Sequence, residues 1–215
     1  APGWEAQQAL SDTLRTLDLA RISLRARDYE TYEILLNAKG FIKAFDSLLV
    51  NLAPGAFLQP SDEGERTLRD CVIKGAGDAS CIADLFCGNG TFTGPLMKGG
   101  RVTGYDSAAD AIEGLRKAGA KAHVRNLFKD PLPADELSAF DAVVLDPPRA
   151  GAAAQVAEIG WARVPRVIYV SCNPQSFARD AGVLQGAGYR LAALTIVDQF
   201  IWSAHTELAA VFTLT

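Results

Sequence analysis

Apolar residues near the start of the chain recur at intervals of four, four and three, which predicts an amphipathic helix over residues 5–17. Strand-like runs of alternating or β-branched residues follow it, at 20–26, 31–36 and 41–52. Asn37-Ala38-Lys39-Gly40 lies between the last two runs and predicts a hairpin turn. Together these patterns predict a small α+β lobe over residues 1–56.

From Cys81 onward the pattern changes, and short apolar runs alternate with helix-like segments. The strand-like runs are 82–86, 102–105, 122–124, 142–145, 167–171, 191–197 and 208–214. Such alternation is typical of βαβ units, which form a mostly parallel sheet with helices on both faces. The last two runs lie close together and predict an antiparallel hairpin. The sequence therefore predicts a second, α/β domain over residues 57–215, with a helix at 62–72 near its start.

The composition is that of a globular protein, with 49% hydrophobic and 21% charged residues. No apolar run approaches the ~18 residues of a transmembrane helix, and the first residues do not resemble a signal peptide, so a cytoplasmic protein is expected. The four cysteines form no Cys-x-x-Cys pair and the two histidines lie far apart, so no metal site is expected. A net charge of −4 argues against a broad nucleic-acid surface but is compatible with a local basic groove.

A glycine-rich turn follows the strand-like run at 82–86. Gly88 and Gly90 allow the backbone to approach a ligand closely. The next run ends at Asp106, 18 residues after Gly88, close to the ~20 expected for an acid that binds ribose hydroxyls. The third glycine of a dinucleotide fingerprint is absent, and Asp84 stands where it could reach the amino group of an amino-acid moiety. These residues favour S-adenosylmethionine as the ligand, with a dinucleotide or a mere tight turn as the alternatives.

The run at 142–145 leads into Asp146-Pro147-Pro148-Arg149, which places a carboxylate at the carboxyl end of a strand. The prolines predict a rigid, extended turn that directs Asp146 into the crevice at this edge. In methyltransferases that act on amino groups, the corresponding prolines are followed by an aromatic residue that stacks on the target. Arg149 stands there in this chain, which argues against an exocyclic nitrogen as the acceptor. The alternative is that Asp-Pro-Pro is only a stiff turn.

Cys172 follows the run at 167–171, so its thiol is predicted at the edge where ligands bind in open α/β sheets. The simpler alternative is a buried structural cysteine. Between the last two strands, residues 197–207 group two acids, a histidine and two aromatics, which is dense for a hairpin connection. This segment is therefore a second candidate for chemistry, with a solvated loop as the alternative.

Four separated stretches of the chain resemble the RNA uracil-5 methyltransferase family. They are Asp-Leu-Phe-Cys-Gly-x-Gly-x-Phe at 84–92, Asp-Pro-Pro-Arg-x-Gly at 146–151, Ser-Cys-Asn-Pro at 171–174 with Arg-Asp at 179–180, and Asp-x-Phe with His-x-Glu at 198–207. Their order and spacing match the family over about residues 55–215. Joint agreement of four stretches is far more specific than any one of them.

The resemblance implies a Rossmann-like class I methyltransferase fold with a seven-stranded sheet, S-adenosylmethionine as cofactor, and a monomer that acts on structured transfer or ribosomal RNA. It implies that Cys172 adds to carbon 6 of uracil, that Glu207 later removes the carbon 5 proton, and that Asp146 holds the uracil edge. The implied cofactor-binding residues are Gln59, Asp84, Phe86, Gly88, Gly90, Asp106, Asn126 and Asp146. The implied substrate-binding residues are Phe57, Arg149, Phe200 and His205.

The chain differs from the family pattern at Ser61, where Asn is usual, and at Ile201 and Ser203, where Pro and Thr are usual. Larger members carry an RNA-binding barrel and some carry iron–sulfur cysteines, and neither is visible in this sequence. The lobe over 1–56 is therefore interpreted as a remnant of a central domain, or RNA docks through other surfaces. Two other functions stay open: a methyltransferase for nitrogen or a small molecule, with a structural Cys172, and a non-catalytic RNA-binding module.

Overall fold

A computed structural model describes residues 3–19, 21–24, 33–37, 40–199 and 205–214. The first part of the chain contains one helix and four short strands. They are α1 (Trp4–Thr16), β1 (Arg21–Leu24), β2 (Glu33–Asn37), β3 (Ile42–Phe45) and β4 (Leu48–Asn51). β1 pairs with β2 and β3 pairs with β4, both antiparallel, in two separate two-stranded sheets. The helix is therefore confirmed, and β1 to β4 confirm the strand-like runs where the structure describes them; residues 20, 25–26 and 31–32 of those runs lie outside the described residues.

The hairpin turn predicted at 37–40 includes residues 38 and 39, which lie outside the described residues. The strands on either side of it, β2 and β3, belong to different sheets. The chain reverses inside the run at 41–52, at Asp46, whose φ of 57° is tolerated by a short polar side chain. Phe45, Leu48 and Val50 are buried on the two arms of this hairpin, where they pack on Ile112 and Leu115.

Helix α2 (Asp62–Ala76) begins at Ser61, whose hydroxyl accepts a hydrogen bond from the Gly64 N–H at 3.1 Å. It ends at Gly77, which has a φ of 60°. The helix runs four residues beyond the predicted end at Val72. Gly75 lies inside it, so close to the sheet that a Cβ there would stand 2.8 Å from Val211. In the sequence Gly75 predicts a loop, but in the structure it belongs to the helix and allows the helix to pack closely on the sheet.

Seven strands form the main sheet. They are β5 (Cys81–Leu85), β6 (Arg101–Asp106), β7 (Lys121–Val124), β8 (Ala142–Leu145), β9 (Arg166–Ser171), β10 (Tyr189–Val197) and β11 (Glu207–Leu214). Their order is β10-β11-β9-β8-β5-β6-β7, and β11 runs in the direction opposite to the other six strands. The predicted α/β architecture, a mostly parallel sheet with an antiparallel C-terminal hairpin, is confirmed.

Helices cover both faces of this sheet. They are α2 with α3 (Thr93–Leu96), α4 (Ala109–Lys117), α5 (Ala134–Leu137), α6 (Ala153–Ala162) and α7 (Pro174–Gly186). One buried cluster joins α5, α6 and α7 to the sheet, and a second joins α2 and α3 to its other face. The central strand β8 is fully buried at all four positions, which is why it reads as a continuous apolar run.

The β3–β4 hairpin packs against α4 and shares its buried cluster. A division of the chain at residue 56 stays a prediction. The N-cap of α4 is Ala108, which has no side-chain acceptor. Asp106 provides one by accepting from the Ala108 N–H at 2.8 Å. On the exposed face of α4, Glu113 and Lys117 form an ion pair at 2.6 Å.

Within the described residues, no helix combines the length and the apolar character that a membrane span requires. The same residues contain no group of three or more histidine, cysteine, aspartate or glutamate side chains placed to hold a metal ion.

Candidate active site

The loops at the carboxyl edge of the parallel strands surround a cavity of about 740 Å³. The strand order reverses between β5 and β8, and ligands bind at such switch points in open α/β sheets. Because β11 is antiparallel, its first residue lies at this edge: Leu208 is opposite Ser171, so Glu207 comes to lie beside Cys172. The position of Glu207 therefore follows from the strand register.

Ten of the residues predicted for the site line this cavity. They are Phe57, Gln59, Phe86, Gly88, Asp106, Asp146, Arg149, Cys172, His205 and Glu207. Asp84, Gly90 and Asn126 are not part of the lining, and Phe200 lies outside the described residues. The structure thus brings the predicted nucleophile, the predicted base and the glycine-rich turn to one cavity.

The carboxylate of Asp106 fixes the backbone of the turn after β5. This carboxylate accepts hydrogen bonds from the Gly88 N–H at 2.9 Å and from the Ala108 N–H at 2.8 Å. Phe86 adopts a left-handed φ of 61°, which is unusual for a bulky residue and typical of functional turns. Each Asp106 oxygen has further lone pairs, so this carboxylate can still accept hydrogen bonds from a bound ligand.

Two predicted cofactor residues, Gly90 and Asn126, do not line the cavity but contact neighbouring parts of the protein. A Cβ at Gly90 would overlap the Leu115 side chain, so a glycine is required there for packing. Asn126 accepts from the N–H groups of Phe128 at 3.1 Å and Lys129 at 3.2 Å, which fixes the turn after β7. Direct contact of Gly90 or Asn126 with a cofactor stays a prediction.

The turn at Asn126 carries an aromatic residue that the sequence analysis missed. Phe128 lines the cavity, and its ring centroid lies 5.3 Å from that of Phe86 at an interplanar angle of 54°. The two rings form an apolar wall suited to a planar heterocycle. The signal in the sequence was present but weak: a phenylalanine two residues after a turn-forming asparagine, beyond the end of a strand.

Asp84 is fully buried behind the cavity wall. Its Oδ2 accepts from the Thr93 hydroxyl at 2.6 Å, whereas Oδ1 has no hydrogen-bond partner among the described residues. Burial, opposed by the Thr93 hydrogen bond and reinforced by Asp106, raises the pKa of Asp84 to about 7. The predicted contact of Asp84 with the amino group of a cofactor stays a prediction.

The raised pKa of Asp84 predicts how stability depends on pH. Folding raises the pKa of Asp84 from 3.8 to about 7. The contribution of this carboxyl to stability is therefore fully present below pH 3.8 and is lost as the pH rises through 7. The substitution Asp84→Asn removes the buried charge. We expect it to raise the free energy of unfolding at pH 9, by on the order of 4 kcal/mol at most, and much less at pH 5. Urea denaturation at both pH values measures this, and an equal effect at both would contradict it.

Three ionisable groups lie together at the far side of the cavity. Burial, followed by the Glu207, Asp84 and Asp106 carboxyls, raises the pKa of Asp146 to about 8. Burial also raises the pKa of Glu207 and that of Cys172, and the Glu207 and Asp146 carboxyls raise the pKa of Cys172 further, while Arg149 lowers it. The raised pKa favours the protonated form of Asp146 at neutral pH, and the thiol of Cys172 needs an acceptor for its proton before it can act as a nucleophile.

The loop that follows β8 is anchored by the motif that carries Cys172. The Asn173 amide donates to the Arg149 carbonyl at 2.8 Å, and its Oδ1 caps α7 by accepting from the Gln175 N–H at 3.1 Å.

Asp180, fully buried, accepts from the Ala152 N–H at 2.7 Å and from the Tyr169 hydroxyl at 2.6 Å. Arg179 donates to the Ala150 carbonyl at 2.9 Å. The Arg179-Asp180 pair thus holds the loop that positions Asp146.

Comparison with known proteins agrees with this geometry. Residues 114–214 match the family model described as tRNA (Uracil-5-)-methyltransferase. Over these residues the chain matches the RNA uracil-5 methyltransferase family. The matched residues include Asp146, Cys172 and Glu207.

Two related sequences extend the comparison with this family. An RNA methyltransferase of Caulobacter vibrioides is 42% identical over 204 residues, 91% of this chain and 48% of that protein. The 23S rRNA (uracil(1939)-C(5))-methyltransferase of Burkholderia pseudomallei is 41% identical over 151 residues, 61% of this chain and 32% of that protein. The chain therefore spans about half, or less, of the length of these relatives.

A solved structure shows the same fold for this family. The Pyrococcus abyssi tRNA (uracil-54, C5)-methyltransferase, in complex with S-adenosyl-L-homocysteine, superimposes with a TM-score of 0.74 at 28% identity. The likeness covers 88% of this chain and 49% of that one. Like the two related sequences, the Pyrococcus abyssi enzyme is much longer than this chain, which covers about half of it.

Proposed function

We propose that this chain methylates carbon 5 of a uridine in structured RNA, with S-adenosylmethionine as the methyl donor and Cys172 as a covalent nucleophile. The observation that carries the proposal is the convergence of Cys172, Glu207 and Asp146 with the Gly88 turn on one cavity. Two of the proteins compared above are named for carbon 5 of uracil, one in 23S ribosomal RNA and one in transfer RNA, and these names support carbon 5 of a uridine in RNA as the target.

The residues of the glycine-rich side fit the donor. Asp106 offers carboxylate lone pairs at the cavity surface, as ribose hydroxyls require, and Phe86 and Phe128 offer an apolar wall for the adenine. The unpartnered Oδ1 of Asp84 lies nearby as a buried acceptor without a donor, which suits the positive amino group of this ligand. When bound, S-adenosylmethionine supplies the methyl group that carbon 5 acquires.

The reactive side supplies the covalent chemistry that uracil requires, because carbon 5 of uracil is a poor nucleophile. The Cys172 thiolate forms a bond to carbon 6, and the electron pair of the 5,6 double bond moves toward the carbonyl at carbon 4. Protonated Asp146 can donate a hydrogen bond to the uracil edge and stabilise the enolate that results. Once carbon 5 carries the methyl group, Glu207 removes the remaining proton from carbon 5, the 5,6 double bond re-forms, and the bond between sulfur and carbon 6 breaks.

RNA that contains 5-fluorouridine tests this mechanism directly, because fluorine at carbon 5 leaves no proton for Glu207 to remove. With the donor present, the expected result is a protein–RNA complex that survives denaturing electrophoresis and carries one methyl group. A methyltransferase that acts on nitrogen would methylate without forming the complex, and a non-catalytic binding module would do neither. Either result would overturn the proposal.

Replacing Asp106 by alanine tests the donor side. The substitution removes the acceptor for the ribose and the two hydrogen bonds that hold the Gly88 turn. We expect the affinity for S-adenosylmethionine, measured by isothermal titration calorimetry, to fall at least about 10-fold, as the loss of charge-assisted hydrogen bonds implies. Asp110→Ala, an exposed carboxylate at the cavity rim, is the matched control and should change the affinity much less.

A further inference from the structure

Asn173, the residue after Cys172, connects the turn that carries the thiol to the loop that carries Asp146. Its side-chain amide donates to the Arg149 carbonyl at 2.8 Å, across 24 residues of the chain. Its side-chain oxygen accepts from the Gln175 N–H at 3.1 Å and caps α7. One short side chain therefore holds both segments that carry the proposed reactive groups.

The two partners fix the orientation of the Asn173 amide. A backbone carbonyl only accepts hydrogen bonds and a backbone N–H only donates, so the NH₂ group must face Arg149 and the oxygen must face Gln175. A rotation of the amide by half a turn would lose both hydrogen bonds. The connection between the two segments therefore has one geometry.

The segment on the thiol side of this connection is held by its own hydrogen bonds. The Ser171 hydroxyl accepts from the Asn173 N–H at 3.1 Å and donates to the Asn173 carbonyl at 3.1 Å. The same carbonyl accepts from the Phe177 N–H at 3.1 Å, in the first turn of α7. Cys172 lies between Ser171 and Asn173, so the backbone on both sides of the thiol is fixed.

The segment on the carboxylate side has fewer donors of its own. The Asp146 N–H donates to the Leu85 carbonyl at 3.2 Å, which ties the start of the loop to β5. The next two residues are prolines, which have no N–H to donate. After the prolines, the hydrogen bond from Asn173 to the Arg149 carbonyl ties the loop to the turn after β9. Asn173 thus supplies a donor to a loop in which prolines remove two.

The strands alone do not fix the spacing of the two reactive groups. Backbone pairing between β8 and β9 ends with Leu145 opposite Tyr169, before the chain reaches Asp146 on one strand and Cys172 on the other. Beyond that pair, the side chain of Asn173 continues the connection between the two segments. The spacing matters because uracil is a rigid ring, and the thiolate must reach carbon 6 while the carboxyl holds the ring edge.

We propose that Asn173 is a positioning residue for the covalent step, which sets the placement of the Cys172 sulfur relative to the Asp146 carboxyl. The inference rests on the proposed function and deepens it. Asn173 is not among the residues that line the cavity, so its action on the reaction passes through the two segments that it joins.

The test uses Asn173→Asp, which keeps the side-chain oxygen that caps α7 but has no N–H for the Arg149 carbonyl. The rate of covalent complex formation is measured with 5-fluorouridine RNA, at saturating RNA and donor. We expect this rate at pH 8 to fall about 10- to 100-fold, as a displacement of about 1 Å implies. The affinity for S-adenosylmethionine should stay that of the wild type, which shows that the fold is intact. Asn51→Asp, at an exposed position of β4, is the matched control and should change neither quantity.

The pH dependence distinguishes a lost donor from general damage to the fold. When the new carboxyl takes up a proton, its O–H can donate to the Arg149 carbonyl. The rate of Asn173→Asp relative to the wild type should therefore rise as the pH falls from about 8 to about 5, toward the pKa of an aspartate. Asn173→Ala has neither a donor nor a titratable group, so its relative rate should stay low at every pH. A relative rate of Asn173→Asp that does not change with pH would contradict the role assigned to the amide.

The same measurements separate this inference from the proposed function. If the wild type forms no covalent complex with 5-fluorouridine RNA, the proposed function fails and the inference fails with it. If the wild type forms the complex and Asn173→Asp forms it equally fast at pH 8, the function stands and only the inference fails.

Discussion

Replacing Cys172 by alanine is expected to abolish methyl transfer to carbon 5 of uridine. Without the thiolate no bond forms to carbon 6, and carbon 5 is not made nucleophilic, so the rate should fall by at least about four orders of magnitude. Incorporation of tritium from labelled S-adenosylmethionine into RNA measures the rate. Electrophoresis with 5-fluorouridine RNA should show the covalent complex for the wild type and none for the variant.

Cys81→Ala provides the matched control for this experiment. Cys81 is half-buried at the first position of β5, at the opposite edge of the sheet from the cavity. Its replacement should leave the rate and the covalent complex as they are in the wild type. A complex that persists in Cys172→Ala would show that another group attacks the base.

Glu207→Gln should separate methyl transfer from the release of product. The amide keeps the size of the side chain but cannot accept the proton from carbon 5, so the methylated adduct is expected to accumulate on the enzyme. Turnover should fall by about 10²–10⁴-fold, the usual contribution of a general base, while the first methyl transfer remains fast. Mass spectrometry of RNA covalently bound to the protein detects the trapped species.

Glu113→Gln is the control for this substitution, because Glu113 is exposed on α4 and pairs with Lys117. It should turn over as the wild type does and trap no RNA. Full turnover by Glu207→Gln, without an adduct, would assign the base to another residue.

The positions of Cys172 and Glu207 could be predicted because they depend on strand order and direction. Apolar runs identified β9 and β11, and the short connection before β11 predicted its reversed direction, which places both residues at one edge. The fold of the α/β part followed from the same alternation. Strands that are buried on both faces of a sheet give continuous apolar runs, and such runs are easily recognised in a sequence.

Other features had no comparable signal in the sequence. Gln199 meets Gln59 across 140 residues, so the contact exists only after the sheet and α2 are assembled. Asn126 was implied as a cofactor-binding residue by the family resemblance; its side chain accepts from the N–H of Phe128, and Phe128, which no sequence pattern singled out, lines the cavity. The reversal at Asp46 had no turn signal in the sequence analysis, which took 41–52 as one run, and the burial of Phe45 and Val50 on its two arms appears only in the folded chain.

The placement of β11 between β9 and β10 has a consequence for the order of assembly. Among the described strands, β10 pairs with β11 only, although β10 is made first on the ribosome. β10 must therefore wait for residues 207–214 before it can join the sheet. Glu207, the proposed proton acceptor, arrives on the same segment. Under the proposed function, an incompletely synthesised chain would therefore have the Cys172 thiol but not the carboxylate that releases the RNA.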